Sequence, residues 1–244
     1  IGDGLALAEE LGDPALVGEA LTYAAFLSYR RGNYRRAEER FAMGDRLLRE
    51  QAPSASEAQA PFGHWFLGDV ALAQGKFSQA AGRYETALGP LREARSAYGL
   101  SDAQAGLAGA HLCAGDVARA AALYTESLDR AQNLKFTQLA ASSLFGLAGM
   151  AAAIGRPEAG ARLLGAAEGI TDSLAGSIFP RDLPIRDRAL AALRTALGEE
   201  RLATARAEGR ALSVKQAVAE ASEVAAAGST VGTPCPEHRT LADD

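Results

Sequence analysis

Four times in this chain a glycine closes one apolar helical run, and the next opens with an alanine or glycine five residues on. The four runs are Gly32-Asn33-Tyr34-Arg35-Arg36-Ala37, Gly75-Lys76-Phe77-Ser78-Gln79-Ala80, Gly115-Asp116-Val117-Ala118-Arg119-Ala120 and Gly155-Arg156-Pro157-Glu158-Ala159-Gly160. Four residues after each alanine or glycine stands a large apolar side chain: Phe41, Tyr84, Tyr124 and Leu164. A glycine can take the left-handed conformation that ends a helix. The small residue leaves room for a neighbouring backbone, and the large one lies a turn along the same face. A unit recurring every 40 or so residues predicts a stacked array of helical hairpins, because one hairpin cannot bury its own apolar face.

Composition agrees with close helix packing. Hydrophobic residues make up 48% of the 244, yet aromatics only 6%, so much of the apolar content is alanine. The net charge of -5 argues against a general nucleic-acid surface, which needs a basic excess to release counterions. No run of about 18 apolar residues suggests a membrane span. Two cysteines, Cys113 and Cys235, make no disulfide framework and fit a reducing compartment. A cytoplasmic location is expected. The chain opens on Ile1, and residues 4–11 read as the second helix of a repeat whose first is missing. This predicts a piece of a longer protein.

Paired helices are expected over 15–31 and 34–49, 56–74 and 77–97, 101–114 and 117–132, and 136–154 and 157–174. Residues 51–55, with Pro53, read as a linker. Gly89-Pro90 is expected to kink or interrupt its helix, while Pro157 suits a first helical turn. Asn33 and Asp116 are helix-capping types. Gly106, Gly109, Gly146 and Gly149 fall inside helices and read as close-packing positions. After Leu174 the pattern changes: a loop over 176–184, then shorter helices over 185–197, 199–208 and 214–225, the last opened by a Ser213–Gln216 capping box. The expected organisation is a repeat region over 1–175, a helical cap over 176–226 and a disordered tail over 227–244.

The second unit carries the pattern best, with Leu67-Gly68, Ala71, Gly75, Phe77, Ala80, Tyr84 and Ala87. This pattern resembles the tetratricopeptide repeat, with His64 where that family favours tryptophan and Trp65 one position late. Units near 40 residues, together with Ala161–Glu168, Ala192–Glu200 and Ala207–Ser213, resemble the degenerate repeats of MalT and LuxR-like bacterial transcriptional regulators of the STAND ATPase type. The resemblance implies an all-α, right-handed superhelical array of tetratricopeptide-like hairpins with a helical C-terminal cap. It implies a sensor or scaffold beside an upstream nucleotide-binding domain, with protein, peptide or a small effector as partner. A freestanding peptide-binding scaffold and an accessory segment of a cyclase or ATPase are the alternatives.

In such an array the first helix of each hairpin lines the inner face. The candidate groove residues are then Phe26, Tyr29 and Arg30 in the first unit, Phe62, Trp65 and Asp69 in the second, and Phe145 in the fourth. Aromatic anchors with a few polar groups are what a peptide or effector groove needs. The competing reading packs these rings between repeats. Arg30, Arg31, Arg35, Arg36 and Arg40 crowd the first turn, where Glu38 and Glu39 make a solvated face the simpler reading. Direct nucleic-acid binding and membrane binding are not expected. His111 and Cys113, two apart on a helix, point to different faces and make a poor metal pair. No phosphate loop occurs and no nucleophile, base and orienting acid assemble, so no cofactor and no catalysis are expected. Seven C-terminal arginines, from Arg181 to Arg210, are offset by neighbouring acids and read as part of the cap rather than a helix-turn-helix.

Overall fold

The computed structural model describes residues 2–51, 53–174 and 178–230, and these contain helices and turns without a strand. The helices are α1 (Gly2–Leu11), α2 (Pro14–Arg30), α3 (Tyr34–Gln51), α4 (Pro53–Ala73), α5 (Phe77–Glu93), α6 (Ala97–Cys113), α7 (Val117–Leu134), α8 (Thr137–Ala153), α9 (Pro157–Ser173), α10 (Leu183–Arg210) and α11 (Val214–Ser229). One turn of tighter helix, Pro180–Asp182, sits between α9 and α10.

The four glycines close the hairpins α2–α3, α4–α5, α6–α7 and α8–α9 as the sequence predicts, each at positive φ. In every case the residue after the glycine donates its N–H five residues back: Asn33 to Ser28 at 2.9 Å, Lys76 to Ala71 at 2.9 Å, Asp116 to His111 at 2.9 Å and Arg156 to Ala151 at 2.8 Å. That bond satisfies a carbonyl the helix end would otherwise orphan. The same closure recurs between hairpins without glycine. Arg95 at φ 53 and Lys135 at φ 56 take the left-handed position, and Ser96 and Phe136 donate to Leu91 and Ala131. The turn at Arg95 therefore ends α5 at Glu93 and starts α6 at Ala97, where the sequence reading ran one helix to 97 and began the next at 101. Pro90 lies inside α5, one turn before its end, and does not interrupt it. Pro53 opens α4, so the expected 51–55 linker shrinks to the junction at residue 52, which is outside the described residues. Asp116 accepts from the Arg119 N–H at 3.1 Å, and the Ser213–Gln216 capping box forms.

Packing follows the repeat. The small residues Ala37, Ala80, Ala120 and Gly160 are buried, as are Phe41, Tyr84, Tyr124 and Leu164. Each ring of this set seats on a glycine of a first helix. A Cβ on Gly63 would meet Phe41, one on Gly106 would meet Tyr84, and one on Gly146 would stand 1.8 Å from Tyr124 Oη. The first helices α2, α4, α6 and α8 touch in sequence and make one layer. Beyond the hairpins α10 packs on α9 and α8, and α11 packs on α7, α8 and α9. Gly198, at φ 74 and ψ 170, bends α10 between the two segments the sequence separates. Gly165 and Gly209 let α9 and α10 touch backbone to backbone. Arg201, Arg206 and Arg210 of α10 pair with Glu158, Glu168 and Asp172 of α9, which accounts for three of the seven C-terminal arginines. The last helix runs to Ser229, past the expected end at 225, and residues 231–244 lie outside the described residues.

Candidate functional site

The expected groove residues gather, but part of their face is filled by the chain itself. The segment Phe179–Asp182, called the strap below, crosses the layer of first helices. Arg181 is its centre and is 1% exposed. Its Nη1 donates to Asp69 Oδ1 at 2.8 Å and to Asp102 Oδ2 at 2.5 Å, and its Nη2 donates to Asp102 Oδ1. The fork on Asp102 is bidentate, the strongest arrangement open to an arginine–carboxylate pair. Asp69 belongs to α4 and Asp102 to α6. The Arg181 backbone N–H donates to Tyr29 Oη of α2 at 3.1 Å, and Ser142 of α8 donates to Asp182 at 2.7 Å. The strap thus touches the first helix of every hairpin.

Two aromatic side chains complete the cluster. Trp65 donates its Nε1–H to Asp102 Oδ2 at 2.9 Å, and the Tyr84 hydroxyl donates to Asp69 Oδ1 at 2.7 Å. Phe179 lies under two guanidinium groups, Arg30 at 4.7 Å and Arg181 at 5.3 Å from its ring centre. Three buried carboxylates, Asp69, Asp102 and Asp182, face one guanidinium. Burial pushes the Asp69 carboxyl up to about 7, with Arg181 opposing the rise and Asp102 adding to it. Burial likewise raises Asp182, again opposed by Arg181. Burial works against the charge on Arg181, but Asp102 and Asp69 outweigh it and hold the guanidinium ionised. Burial raises the Tyr29 and Tyr84 hydroxyls well above the usual tyrosine range. The cluster can clamp helices together. Arg181 fills its centre.

The seven candidates therefore divide. Tyr29, Arg30 and Asp69 hold the strap rather than line an open groove, and Trp65 braces Asp102 beneath it with its ring left half-buried. The physical reason is charge: a carboxylate buried on an inner face needs a cation, and the strap supplies it. Phe145 is buried in the apolar cluster with Leu144, Leu147 and Tyr124, a different cluster from those that hold Tyr29, Phe26, Phe62 and Trp65. Phe26 and Phe62 are half-buried and border a cleft of about 420 Å³ with Glu19, Thr22 and Tyr23. Tyr23 is 73% exposed, the most open ring here. Around the first turn, Arg40 donates to Ser28 and the Ala24 carbonyl, and Arg35 pairs with Glu39 on the surface. His111 faces Asp116, and burial lowers its pKa.

Sequence reasoning missed Asp102, Asp182 and the strap itself, took Tyr84 only as a packing ring of the repeat, and placed Ser142 on the inner face of the fourth unit without a partner. One signal was present: Phe-Pro-Arg-Asp is a compact, proline-stiffened run in a stretch otherwise read as loop. Compared with protein-family models and with curated proteins, the chain matches none.

Proposed function

We propose that this chain is a non-catalytic, tetratricopeptide-like binding array that serves a larger bacterial signalling or transcriptional regulator. The observation that carries the reading is the repeated construction. Glycine-closed hairpins of about 40 residues put a ring of each of the second helices α3, α5 and α7 onto a glycine of the first-helix layer. An array of this kind presents a continuous surface built from equivalent positions of successive units. Helices α10 and α11 cover its apolar end. Arg181 locks the hairpins to one another, so a partner would meet a preset surface.

The open part of the candidate groove is the cleft at Tyr23, Phe26 and Phe62. An aromatic-lined cleft with Glu19 at its edge suits a peptide or protein side chain better than a nucleotide phosphate, because no cation lines it among the described residues. The test compares the wild-type chain with Tyr23→Ser and Glu19→Lys variants as bait in a bacterial extract, with circular dichroism on all three. The reading expects a protein retained by the wild type and lost from both variants at unchanged helicity. A chain that retains nothing, or retains the same proteins in all three forms, would count against it. No helix among the described residues is long and apolar enough to cross a membrane.

A further inference from the structure

Beside the strap, four rings from three hairpins form an unbroken ladder. Phe62 meets Trp65 edge to face at 5.7 Å, Trp65 meets Tyr98 at 5.9 Å, and Tyr98 meets Phe136 edge to face at 5.2 Å. Phe62 and Trp65 lie on α4, Tyr98 in the first turn of α6, and Phe136 directly before α8. None is wholly buried, and Tyr98 and Phe136 are 38% and 43% exposed. The ladder joins two clefts. At Phe62 it meets the 420 Å³ cleft, and at Phe136 a second of about 620 Å³, walled by Ala140, Val214 and Val218.

Charge along this track is graded: cations border its Tyr98–Phe136 end, while Glu19 lines the cleft at its Phe62 end. Arg95 and Lys135 are the left-handed turn residues that lead into Tyr98 and Phe136, and Lys215 with Lys135 borders the second cleft. All three are exposed, and none makes an ion pair among the described residues. The chain is acidic overall, at net -5. A cationic border on an acidic protein, set along exposed rings, selects an acidic and apolar occupant.

We infer that the Phe62–Trp65–Tyr98–Phe136 ladder is a docking track for an extended peptide segment of a partner protein. Its apolar side chains would lie on the rings and its carboxylates on Arg95, Lys135 and Lys215. Three ring-to-ring steps of this size match about five extended residues, with the two clefts taking the flanks. Single-stranded nucleic acid also uses rings and cations, but it needs open ring faces to stack on. Here rings meet edge to face at two of the three steps. This inference rests on the reading of the chain as a binding array.

The experiment selects binders to the intact chain from a displayed library of random peptides, then titrates them against Trp65 emission, the chain's one tryptophan. Enrichment of Asp or Glu beside Phe, Leu or Ile is expected. Affinity should fall at least tenfold in a Lys135→Glu/Lys215→Glu variant and in Tyr98→Ala, with helicity unchanged. A charge-swapped peptide should recover affinity for the Glu variant. Binders without acidic enrichment, or binders indifferent to both variants, overturn the track while leaving the binding-array reading standing. Failure to select any binder removes both. Saturable binding of oligothymidine at the ladder, a dimer broken by Tyr98→Ala, or tighter binding after removal of residues 231–244 would each assign the rings to a different occupant and overturn the proposal.

Discussion

Tyr84 and Tyr124 occupy the same position of successive units, 40 residues apart, and their surroundings have diverged. Both are wholly buried, and each ring rests on a glycine of the following hairpin's first helix, Gly106 or Gly146. The residue that faces each hydroxyl from its own hairpin differs. In the second unit it is Asp69, which accepts the Tyr84 proton and holds Arg181. In the third it is Gly109, against which the Ile185 side chain of α10 is packed, and Tyr124 Oη has no hydrogen-bond partner. Identical scaffolding thus serves a polar clamp in one unit and an apolar plug in the next. The repeat specifies where the chain stacks. The residue opposite each tyrosine specifies what closes over it.

The largest expected effect separates the clamp from the plug. Arg181→Met leaves Asp69 and Asp102 buried without their cation and should cost about 3–5 kcal/mol. Ile185→Ala removes buried methylenes and should cost about 2–4 kcal/mol. Urea unfolding of both variants measures the difference. If Arg181→Met were the milder change, the clamp would be no more than packing.

The clamp also predicts a pH dependence the plug lacks. Asp69 rises from its ordinary 3.8 to about 7 in the folded chain, chiefly by burial, while Arg181, Asp102 and Tyr84 face it. Between those values the folded chain keeps a proton that the unfolded chain has lost, so stability falls as pH rises. The melting temperature should therefore drop by on the order of a few degrees from pH 5 to pH 8. Asp69→Asn should shrink that drop, though the raised Asp182 beside it will keep part. A drop of equal size in the Asn variant would remove Asp69 as its source.

Gly106→Ala and Gly146→Ala probe what the two units share. Each added methyl would collide with a tyrosine ring, at 2.3 Å from Tyr84 Cζ and 1.8 Å from Tyr124 Oη. Overpacking of this kind costs about 1–3 kcal/mol, offset only slightly by better helix propensity. Thermal melts of the pair should fall together. A harmless Gly146→Ala would mean that Tyr124, lacking an anchor for its hydroxyl, can swing aside where Tyr84 cannot.

What the sequence made legible follows the same division. The four hairpin turns were readable because glycine marks a left-handed residue. The turn at Arg95 was not, because the same backbone closure is carried there by a residue that does not advertise it; at Lys135 the break between helices was legible, between 132 and 136, but its left-handed closure was not. Tyr29, Arg30, Trp65 and Asp69 stood out by face and chemistry, yet their occupant did not. Arg181 lies 112 residues from Asp69 and 79 from Asp102, so no local spacing connects them. Its neighbours Asp182 and Asp187 made it look like ordinary surface charge. Tyr98 was hidden for a related reason, because it fell between the expected helices over 77–97 and 101–114; Phe136 stood at an expected helix start and drew no functional reading there.

The smallest effect is the most direct test of the divergence between the two units. Tyr84→Phe removes one of the two donors on Asp69 Oδ1, leaving Arg181, and should cost about 1–2 kcal/mol as the loss of a single buried hydrogen bond. Tyr124→Phe removes a buried hydroxyl that has no partner, so the change should be near zero or slightly stabilising. Because the rings keep their seats on Gly106 and Gly146, the two substitutions differ only in the lost hydroxyl. Paired urea titrations read the difference. Equal losses would mean that Tyr124 Oη has a partner after all, such as an ordered water between α6 and α8, and that the third unit is less purely apolar than Gly109 and Ile185 make it.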